Sequence, residues 1–324
     1  MSLVLITGAT GFIGSQVVLR ALEAGYTVRL VVRRPDQADK LRRIFSKYTD
    51  KLSFVIIPDI TASGAFDEAV KGVEYVIHVA SPMPGSGEPD LLNGAVRGTV
   101  SVLDSAIRIP GVQKVVITGS ILSLVPIGRI EKGAMVKEDT DFDFTFDRES
   151  TAALSRIDQY HASKIAAHKA VLDFVATNSP PFDVVTIHPV YVFGRSLVQE
   201  SADQLSGTNR LLFQTITTDT PFLGQFLGVH VDDVAVAHVN ALTRSGTRIK
   251  GVRPYLLSSK SRSWREVRDF AQSQYPKLSI PLPPLDTLEY EVDTSRAQRE
   301  LGIEFREMEV QVKDVVDQQL ELRG

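Results

Sequence analysis

The sequence Ser2-Leu3-Val4-Leu5-Ile6-Thr7-Gly8-Ala9-Thr10-Gly11-Phe12-Ile13-Gly14 joins an apolar run to three glycines that are spaced three residues apart. Apolar residues recur after it with helical spacing, so the pattern predicts a strand, a tight turn and a helix. Glycine lets the backbone approach a pyrophosphate at the N–H-rich end of such a helix. The alternative is a tight turn without a ligand, but both flanking elements that a phosphate cradle requires are present. We therefore expect dinucleotide contacts at Gly8, Thr10, Gly11, Phe12, Ile13 and Gly14.

The composition is that of an ordinary globular protein with a large core: 324 residues, 43% hydrophobic and 23% charged. The net charge of −3 provides no basic surface for phosphates, so nucleic acid is not an expected partner. The absence of cysteine excludes disulfides, thiol catalysis and cysteine-ligated metal, and the histidines form no metal-binding pattern. No apolar run is long enough to span a bilayer, and the N-terminus lacks the basic region of a signal peptide. We expect a cytoplasmic protein, monomeric or homodimeric, with neither a membrane partner nor a metal.

Two arginines follow the second predicted strand, residues 27–32, which completes a strand–helix–strand unit. At this strand end, an acidic residue hydrogen-bonds the adenine ribose of NAD, whereas arginine accommodates the 2′-phosphate of NADP. Arg33 and Arg34 come first, and no acid appears before Asp36. The sequence therefore predicts NADP(H) rather than NAD(H), with Lys40 as a further phosphate ligand. The alternative is that the two arginines are solvated surface residues.

Further strands are predicted at residues 52–57, 74–80 and 113–118. The carboxyl ends of parallel strands meet at one edge of the sheet, where a dinucleotide binds. Asp59 is equally suited to a turn or a helix N-cap. The expected cofactor contacts at these strand ends are Asp59, Ile60, Val79, Ala80, Ser81 and Thr118.

Tyr160 and Lys164 lie four residues apart in a helical segment, so their side chains share one helix face. A phenol with a pKa of about 10 is a poor catalyst near neutrality, and a fixed ammonium beside it lowers that pKa. The tyrosine can then exchange a proton with a carbonyl or alcohol oxygen. A serine hydroxyl from the end of the fifth strand completes such a site by hydrogen-bonding the same oxygen.

With these pieces the chain resembles the extended short-chain dehydrogenase/reductases, and among them the dihydroflavonol reductase, cinnamoyl-CoA reductase and yeast-type methylglyoxal or aldehyde reductase group. The resemblance implies a catalytic triad of Ser120, Tyr160 and Lys164, with Tyr160 and Lys164 also at the cofactor and Lys164 on the nicotinamide ribose. It further implies that Pro189, Val190 and Val192 lie against the nicotinamide. The pieces that carry it are residues 7–14, Arg33, Asp59-Ile60, residues 79–82, Thr118-Gly119-Ser120, residues 160–164 and His188-Pro189-Val190-Tyr191-Val192-Phe193-Gly194.

The sequence departs from this group at two points. The usual pair of hydroxyl residues before the catalytic position is Gly119-Ser120 here, which leaves Ser123 as the alternative catalytic serine. The motif that precedes the tyrosine in cinnamoyl-CoA reductases is absent, which argues against a CoA thioester substrate.

The expected fold is α/β, a Rossmann doubly wound parallel sheet with a smaller C-terminal substrate-binding domain. Residues 1–194 are predicted to bind NADP(H), residues 195–324 mainly to bind substrate, and residues 229–245 to return to the first domain. Phe213, Phe222, Phe226 and the loop around Met83 are candidate pocket walls, although aromatic residues are more often plain core.

The function that follows is an NADPH-dependent aldehyde or ketone reductase with a Ser-Tyr-Lys triad and a small-molecule carbonyl substrate. One alternative is an NAD-dependent sugar-nucleotide epimerase or dehydratase of the same superfamily. Another is a non-catalytic regulator that senses NADP. The arginines after the second strand favour the reductase over the epimerase, and the intact triad argues against the regulator.

Overall fold

A parallel sheet of seven strands forms the centre of the computed structural model, which describes residues 2–83, 90–126, 130–139, 154–219, 224–244 and 251–324. The strands are β1 (Leu3–Thr7), β2 (Thr27–Val32), β3 (Leu52–Ile56), β4 (Tyr75–His78), β5 (Lys114–Thr118), β6 (Met135–Val136), β7 (Asp183–Pro189), β8 (Tyr191–Phe193), β9 (Gly228–His230), β10 (Val252–Leu257) and β11 (Glu291–Val292). The helices are α1 (Phe12–Glu23), α2 (Pro35–Ile44), α3 (Leu91–Arg108), α4 (Arg156–Asn178), α5 (Gly207–Thr217), α6 (Val231–Thr243), α7 (Trp264–Gln274) and α8 (Met308–Glu321).

The strand order of the large sheet is β10-β7-β5-β4-β1-β2-β3, and every pairing within it is parallel. The order reverses between β1 and β4, because β2 and β3 lie on one side of β1 and the later strands lie on the other. Ligands of such sheets bind at this reversal, beyond the carboxyl ends of the strands. The predicted doubly wound fold is therefore confirmed, and its crevice lies above β1 and β4.

Helices cover both faces of the sheet, which explains why its strands are continuous apolar runs. Val4 and Ile6 of β1 pack in a core cluster with residues of α1 and α6. Leu5, which points to the opposite face, packs with residues of α3 and α4. Strand alternation thus divides β1 between two hydrophobic layers. None of the helices in the described ranges has both the length and the apolar character needed to cross a membrane.

A second, smaller core is built by α5, α7 and α8 together with β8. Phe226 stacks on Phe193 with ring centroids 5.4 Å apart, and Trp264 meets Phe226 edge-on at 5.8 Å. Phe213 and Phe226, which the sequence offers as pocket walls or core, are buried in this core. Phe222 lies outside the described residues, and Met83 is exposed.

Residues 252–257 belong to a different part of the fold from the one that the sequence predicts. The predicted substrate-binding part includes them, but they form β10, which pairs with β7 at the edge of the main sheet. Pro254 lies within this strand, and proline is tolerated in a sheet mainly at such an edge. A short strand interrupted by proline gives a weak periodic pattern, which is why the sequence alone did not place it.

An ion-pair network joins α1, α6 and the segment before α8. The buried Asp232 accepts hydrogen bonds from Gln16 (3.0 Å) and Arg20, and it also pairs with Arg306. Arg306 contacts the buried Asp233 as well, through its side chain and through its backbone N–H (2.8 Å). Burial opposes ionisation of Asp232, but the bonds from Arg20 and Gln16 leave its pKa lowered. The buried carboxylates of Asp232 and Asp233 thereby connect α1 and α6 with the segment before α8.

Candidate active site

The glycine turn between β1 and α1 has no room for side chains at two of its three glycines. Gly8 has a φ of +73°, and a Cβ there would lie 2.7 Å from the backbone nitrogen of Ala80. A Cβ on Gly14 would lie 2.0 Å from the carbonyl oxygen of Gly8. Gly11 is the N-cap of α1, and no side chain in the described part of the chain caps this helix end. The first N–H groups of α1 therefore face a cradle that suits a phosphate.

Thr7 holds in place the backbone segment that lies beside Gly8. Its Oγ1 accepts hydrogen bonds from the backbone N–H groups of Val79 and Ala80, both at 3.1 Å, and lies 3.0 Å from Nδ1 of His78. Because the oxygen already accepts twice, its own proton is directed to His78. The predicted contacts Val79 and Ala80 thus lie next to Gly8. Sequence reasoning missed the role of Thr7, although a hydroxyl residue directly before the first glycine was available as an indication.

The three basic residues after β2 have different surroundings. Arg33 lies close enough to Asp59 to lower its pKa, after the larger effect of hydrogen bonds from Thr61. The side chain of Arg34 forms an ion pair with Asp36 at 3.0 Å. In the described part of the chain, no ion pair engages Arg33. Among these arginines, Arg33 is the one whose guanidinium is left for a ligand.

Lys40 points toward residues 198–200 of the second half of the chain. Its Nζ donates a hydrogen bond to the carbonyl oxygen of Val198 (2.9 Å) and lies 3.5 Å from a carboxylate oxygen of Glu200. Asp59 accepts hydrogen bonds from the backbone N–H (2.8 Å) and hydroxyl (2.7 Å) of Thr61, so it closes a turn, as its alternative interpretation had it. Ile60 lies against Gly98 of α3.

The end of β5 carries two candidate serines in different environments. Ser120 is partly exposed and caps the turn at Ile121–Ser123, its Oγ accepting a hydrogen bond from the N–H of Leu122 at 3.2 Å. The hydroxyl proton of Ser120 remains available to a substrate oxygen. Ser123 is only 3% exposed, and its Oγ has no hydrogen-bond partner among the described residues. Thr118 is hydrogen-bonded to Nε2 of His238 on α6 at 2.7 Å.

Tyr160 and Lys164 share a face of α4, as their spacing predicts. Nζ of Lys164 lies 5.1 Å from the centroid of the Tyr160 ring and donates a hydrogen bond to Oγ of Ser81 at 2.8 Å. Helix α4 is positioned by Ser155, whose side chain accepts from the N–H of Asp158. The structure thus brings the tyrosine, the lysine and the predicted contact Ser81 together at the crevice.

Burial shifts the pKa values of both Lys164 and Tyr160. Burial lowers the pKa of Lys164 to about 8. Burial, with a smaller effect of the Tyr191 phenol, raises the pKa of Tyr160 to about 12. This direction is opposite to the predicted lowering, because burial of the phenol disfavours its charged form.

The segment after β7 exposes one side chain between buried ones. Pro189, Val190 and Val192 are buried, whereas Tyr191 is 38% exposed. The Tyr191 phenol influences the ionisation of both Tyr160 and Tyr290, so the three phenols lie near one another. Tyr191 lies within the segment that the resemblance places against the nicotinamide, but no separate contact was predicted for its side chain. Its exposure between two buried valines follows the alternation of side chains along a strand.

The chain matches the model of the NAD dependent epimerase/dehydratase family over residues 4–251. Ketoreductase sphI of Aspergillus fumigatus is 41% identical over 330 residues, covering 98% of each chain. The crystal structure of yeast methylglyoxal/isovaleraldehyde reductase Gre2 complexed with NADPH superposes with a TM-score of 0.87 at 25% identity, over 100% of this chain and 99% of that one. Gre2 of Candida albicans in complex with NADPH gives a TM-score of 0.87 at 26% identity, over 100% of both chains.

Proposed function

This chain belongs to the NAD dependent epimerase/dehydratase family, within the extended short-chain dehydrogenase/reductases, and on that basis we propose that it is an NADPH-dependent carbonyl reductase. The observation that carries the proposal is the placement of Tyr160 and Lys164 beside Ser81 at the crevice, next to a phosphate cradle. This arrangement can hold a nicotinamide dinucleotide and move a proton at a carbonyl oxygen. The similarity to ketoreductase sphI and to two NADPH-bound reductases supports it.

NADPH, when bound, supplies the hydride that reduces the carbonyl carbon. Tyr160 donates the proton that the carbonyl oxygen gains, and Ser120 donates a hydrogen bond to the same oxygen. Because the pKa of Tyr160 is raised to about 12, its phenol is protonated at neutral pH and is ready to act as an acid. The Lys164 ammonium binds ribose hydroxyls and restores the proton of Tyr160.

We assign the serine role to Ser120 rather than Ser123. Ser120 is partly exposed and has an available proton, whereas Ser123 is enclosed. The preference for NADPH is assigned to Arg33, whose guanidinium is not engaged in an ion pair among the described residues. Lys40 contributes only if it leaves Val198 and Glu200.

A weakly polar carbonyl compound fits the surroundings of the triad best. Tyr191 lies near Tyr160, and Met83, two residues after Ser81, is 46% exposed. Exposed apolar and aromatic side chains favour a substrate with hydrocarbon or aromatic parts over a nucleotide sugar. We assign cofactor binding to residues 1–194 and 229–245 together with β10, and substrate binding mainly to the rest of residues 195–324.

Sugar-nucleotide epimerisation or dehydration is the second candidate, because the matching family model covers those activities. Such enzymes keep NAD bound through the cycle, so denaturing the purified protein would release a stoichiometric dinucleotide. A reductase would instead be purified largely free of NAD and would consume NADPH with each turnover. A non-catalytic NADP sensor would bind NADPH and turn over no substrate.

The experiment follows reduced-nicotinamide absorbance with NADPH and with NADH against methylglyoxal, an aromatic aldehyde, a β-keto ester and a flavonoid ketone. We expect turnover with NADPH to exceed turnover with NADH. NADPH binding without turnover of any compound would overturn the reductase proposal in favour of the sensor. Release of bound NAD from the purified protein would favour the epimerase.

A further inference from the structure

Tyr290 lies directly before β11 and turns inward from an otherwise exposed loop. The other side chains of residues 286–291 are exposed, whereas that of Tyr290 is partly buried. Its ring packs against the core cluster that includes Val190 and Val192, the buried neighbours of Tyr191. Within residues 286–291, Tyr290 is therefore the side chain that contacts the interior.

The carboxamide of Gln225 holds the backbone of Tyr290 in place. Its Oε1 accepts hydrogen bonds from the backbone N–H groups of Glu289 and Tyr290, the latter at 3.3 Å. Its Nε2 donates a hydrogen bond to the carbonyl oxygen of Tyr290 at 2.5 Å. Gln225 is only 5% exposed, so these hydrogen bonds are shielded from competing water. Tyr290 is thus held at a defined position although its neighbours in sequence are exposed.

Stacked aromatic rings connect this position with the triad. Phe226, the residue after the glutamine, stacks on Phe193 with ring centroids 5.4 Å apart. Phe193 in turn stacks on Tyr191 with ring centroids 6.4 Å apart. Tyr191 influences the ionisation of both Tyr160 and Tyr290, so it lies near both. A substrate whose carbonyl group lies at Tyr160 can therefore extend past Tyr191 toward Tyr290.

The hydroxyl of Tyr290 has no hydrogen-bond partner among the described residues, and its oxygen is not fully enclosed. The hydroxyl of a buried tyrosine usually has a partner. Two other tyrosines in this half of the chain follow that rule and donate to carboxylates, Tyr255 to Glu300 at 2.6 Å and Tyr275 to Asp317 at 2.7 Å. Burial is the main cause that raises the pKa of Tyr290, so its hydroxyl keeps its proton near neutral pH. It is available as a donor to a ligand.

We propose that Tyr290 is a specificity-determining residue whose hydroxyl donates a hydrogen bond to a second oxygen of the substrate, remote from the carbonyl group that is reduced. The role of Tyr290 rests on the proposed reductase function, and it narrows the substrate class to carbonyl compounds with a further acceptor oxygen. An analogue with a methylene group in place of that oxygen is disfavoured, because the hydroxyl then loses water and gains no partner.

The charge near Tyr290 selects an uncharged oxygen. The carboxylate of Glu289 contributes to the raised pKa of Tyr290, after the larger effects of burial and of Tyr191. A negative charge thus lies near this phenol and disfavours a second one. The ester or ketone oxygen of a substrate carries no such charge, whereas a carboxylate group would be repelled. The substrate class is therefore that of keto esters and diketones rather than keto acids.

The kinetic test compares Tyr290→Phe with the unmodified protein on a keto ester and on the methyl ketone of equal chain length. The keto ester is the one that the unmodified protein reduces best in a series with increasing spacing between the two carbonyl groups. Removal of the hydroxyl should lower the ratio of the kcat/KM value for the keto ester to that for the ketone about tenfold. Because each ratio is compared between proteins, the intrinsic reactivities of the two compounds cancel.

Tyr275→Phe is the matched control for this test. It also removes a phenol hydroxyl, but one that is bonded to Asp317 beside the smaller core. The ratio of the two kcat/KM values should stay as in the unmodified protein. An unchanged ratio in Tyr290→Phe, or an equal fall in Tyr275→Phe, would overturn the role of Tyr290.

The second test needs no turnover. Calorimetric titration of the NADP⁺-loaded protein with the keto ester should give a dissociation constant about tenfold higher in Tyr290→Phe than in the unmodified protein. If the unmodified protein reduces neither compound, the proposed function fails, and this titration still decides the role of Tyr290. Equal dissociation constants in the two proteins, or no binding of the keto ester to either, would overturn that role.

Discussion

The imidazole of His188 donates a hydrogen bond from Nδ1 to the backbone carbonyl of Ser120 across 3.0 Å. A carbonyl can only accept, so Nδ1 carries the proton, and Nε2 accepts from the hydroxyl of Thr186 at 2.8 Å. The same imidazole leaves no room beside Gly119, where a Cβ would lie 2.8 Å from its ring atoms. His188 thus fixes the turn that carries Ser120 and explains why glycine precedes that serine.

Gly119→Ser, which places a second hydroxyl residue beside Ser120, should destabilise this protein. The added Cβ collides with a fully buried ring, and overpacking of a filled site costs about 1–3 kcal/mol in the free energy of unfolding. Urea-induced unfolding measures the change.

The matched control is the same substitution in a His188→Ala background. With the ring removed, Gly119→Ser should cost at least about 1 kcal/mol less than it does in the unmodified protein. Equal costs in both backgrounds would show that His188 is not the obstacle.

Tyr160→Phe should remove most of the reductase turnover. Loss of the proton donor is expected to lower kcat about 10²–10⁴-fold, while NADPH affinity stays nearly unchanged because most of the predicted cofactor contacts lie elsewhere. Steady-state kinetics and a fluorescence titration with NADPH measure the two quantities. Tyr191→Phe serves as the control and should reduce kcat far less, and full activity of Tyr160→Phe would contradict the assignment.

Carbonyl reduction should slow as the pH rises through about 8. Burial lowers the pKa of Lys164 to about 8, so its ammonium form prevails below that pH and its amine form above it. Tyr160, with a pKa raised to about 12, stays protonated over the same range and does not cause the decline. The measurement is kcat at saturating NADPH between about pH 6 and about pH 10. A rate that stays constant across this range would exclude a requirement for the Lys164 charge.

Arg33→Ala should weaken NADPH binding about 10–100-fold and leave NADH binding nearly unchanged, because only NADPH carries the 2′-phosphate. Arg34→Ala is the matched control, since its guanidinium is already paired with Asp36. Dissociation constants for both cofactors in both variants measure the difference. A similar loss for the two cofactors in Arg33→Ala would remove the phosphate role from this residue.

Local patterns were sufficient to predict the first five strands of the sheet, the glycine turn and the pairing of Tyr160 with Lys164. Each depends on residues close in sequence, and spacing carries that information. The raised pKa of Tyr160 could not be predicted from the sequence, because desolvation depends on all the residues packed around the ring. The same applies to the contact of Lys40 with Val198, which joins residues 158 positions apart, and to the packing of Gly119 on His188.

The edge position of β10 determines when this protein can finish folding as it is synthesised. Six strands of the central sheet have been made once residue 189 is reached, but β7 acquires its outer neighbour only after residues 252–257 have been added. Until then, β7 exposes unpaired backbone groups that can pair with other chains. A fragment that stops near residue 194 retains that open edge permanently. Dividing the chain near residue 194 would therefore leave the central sheet without its last strand.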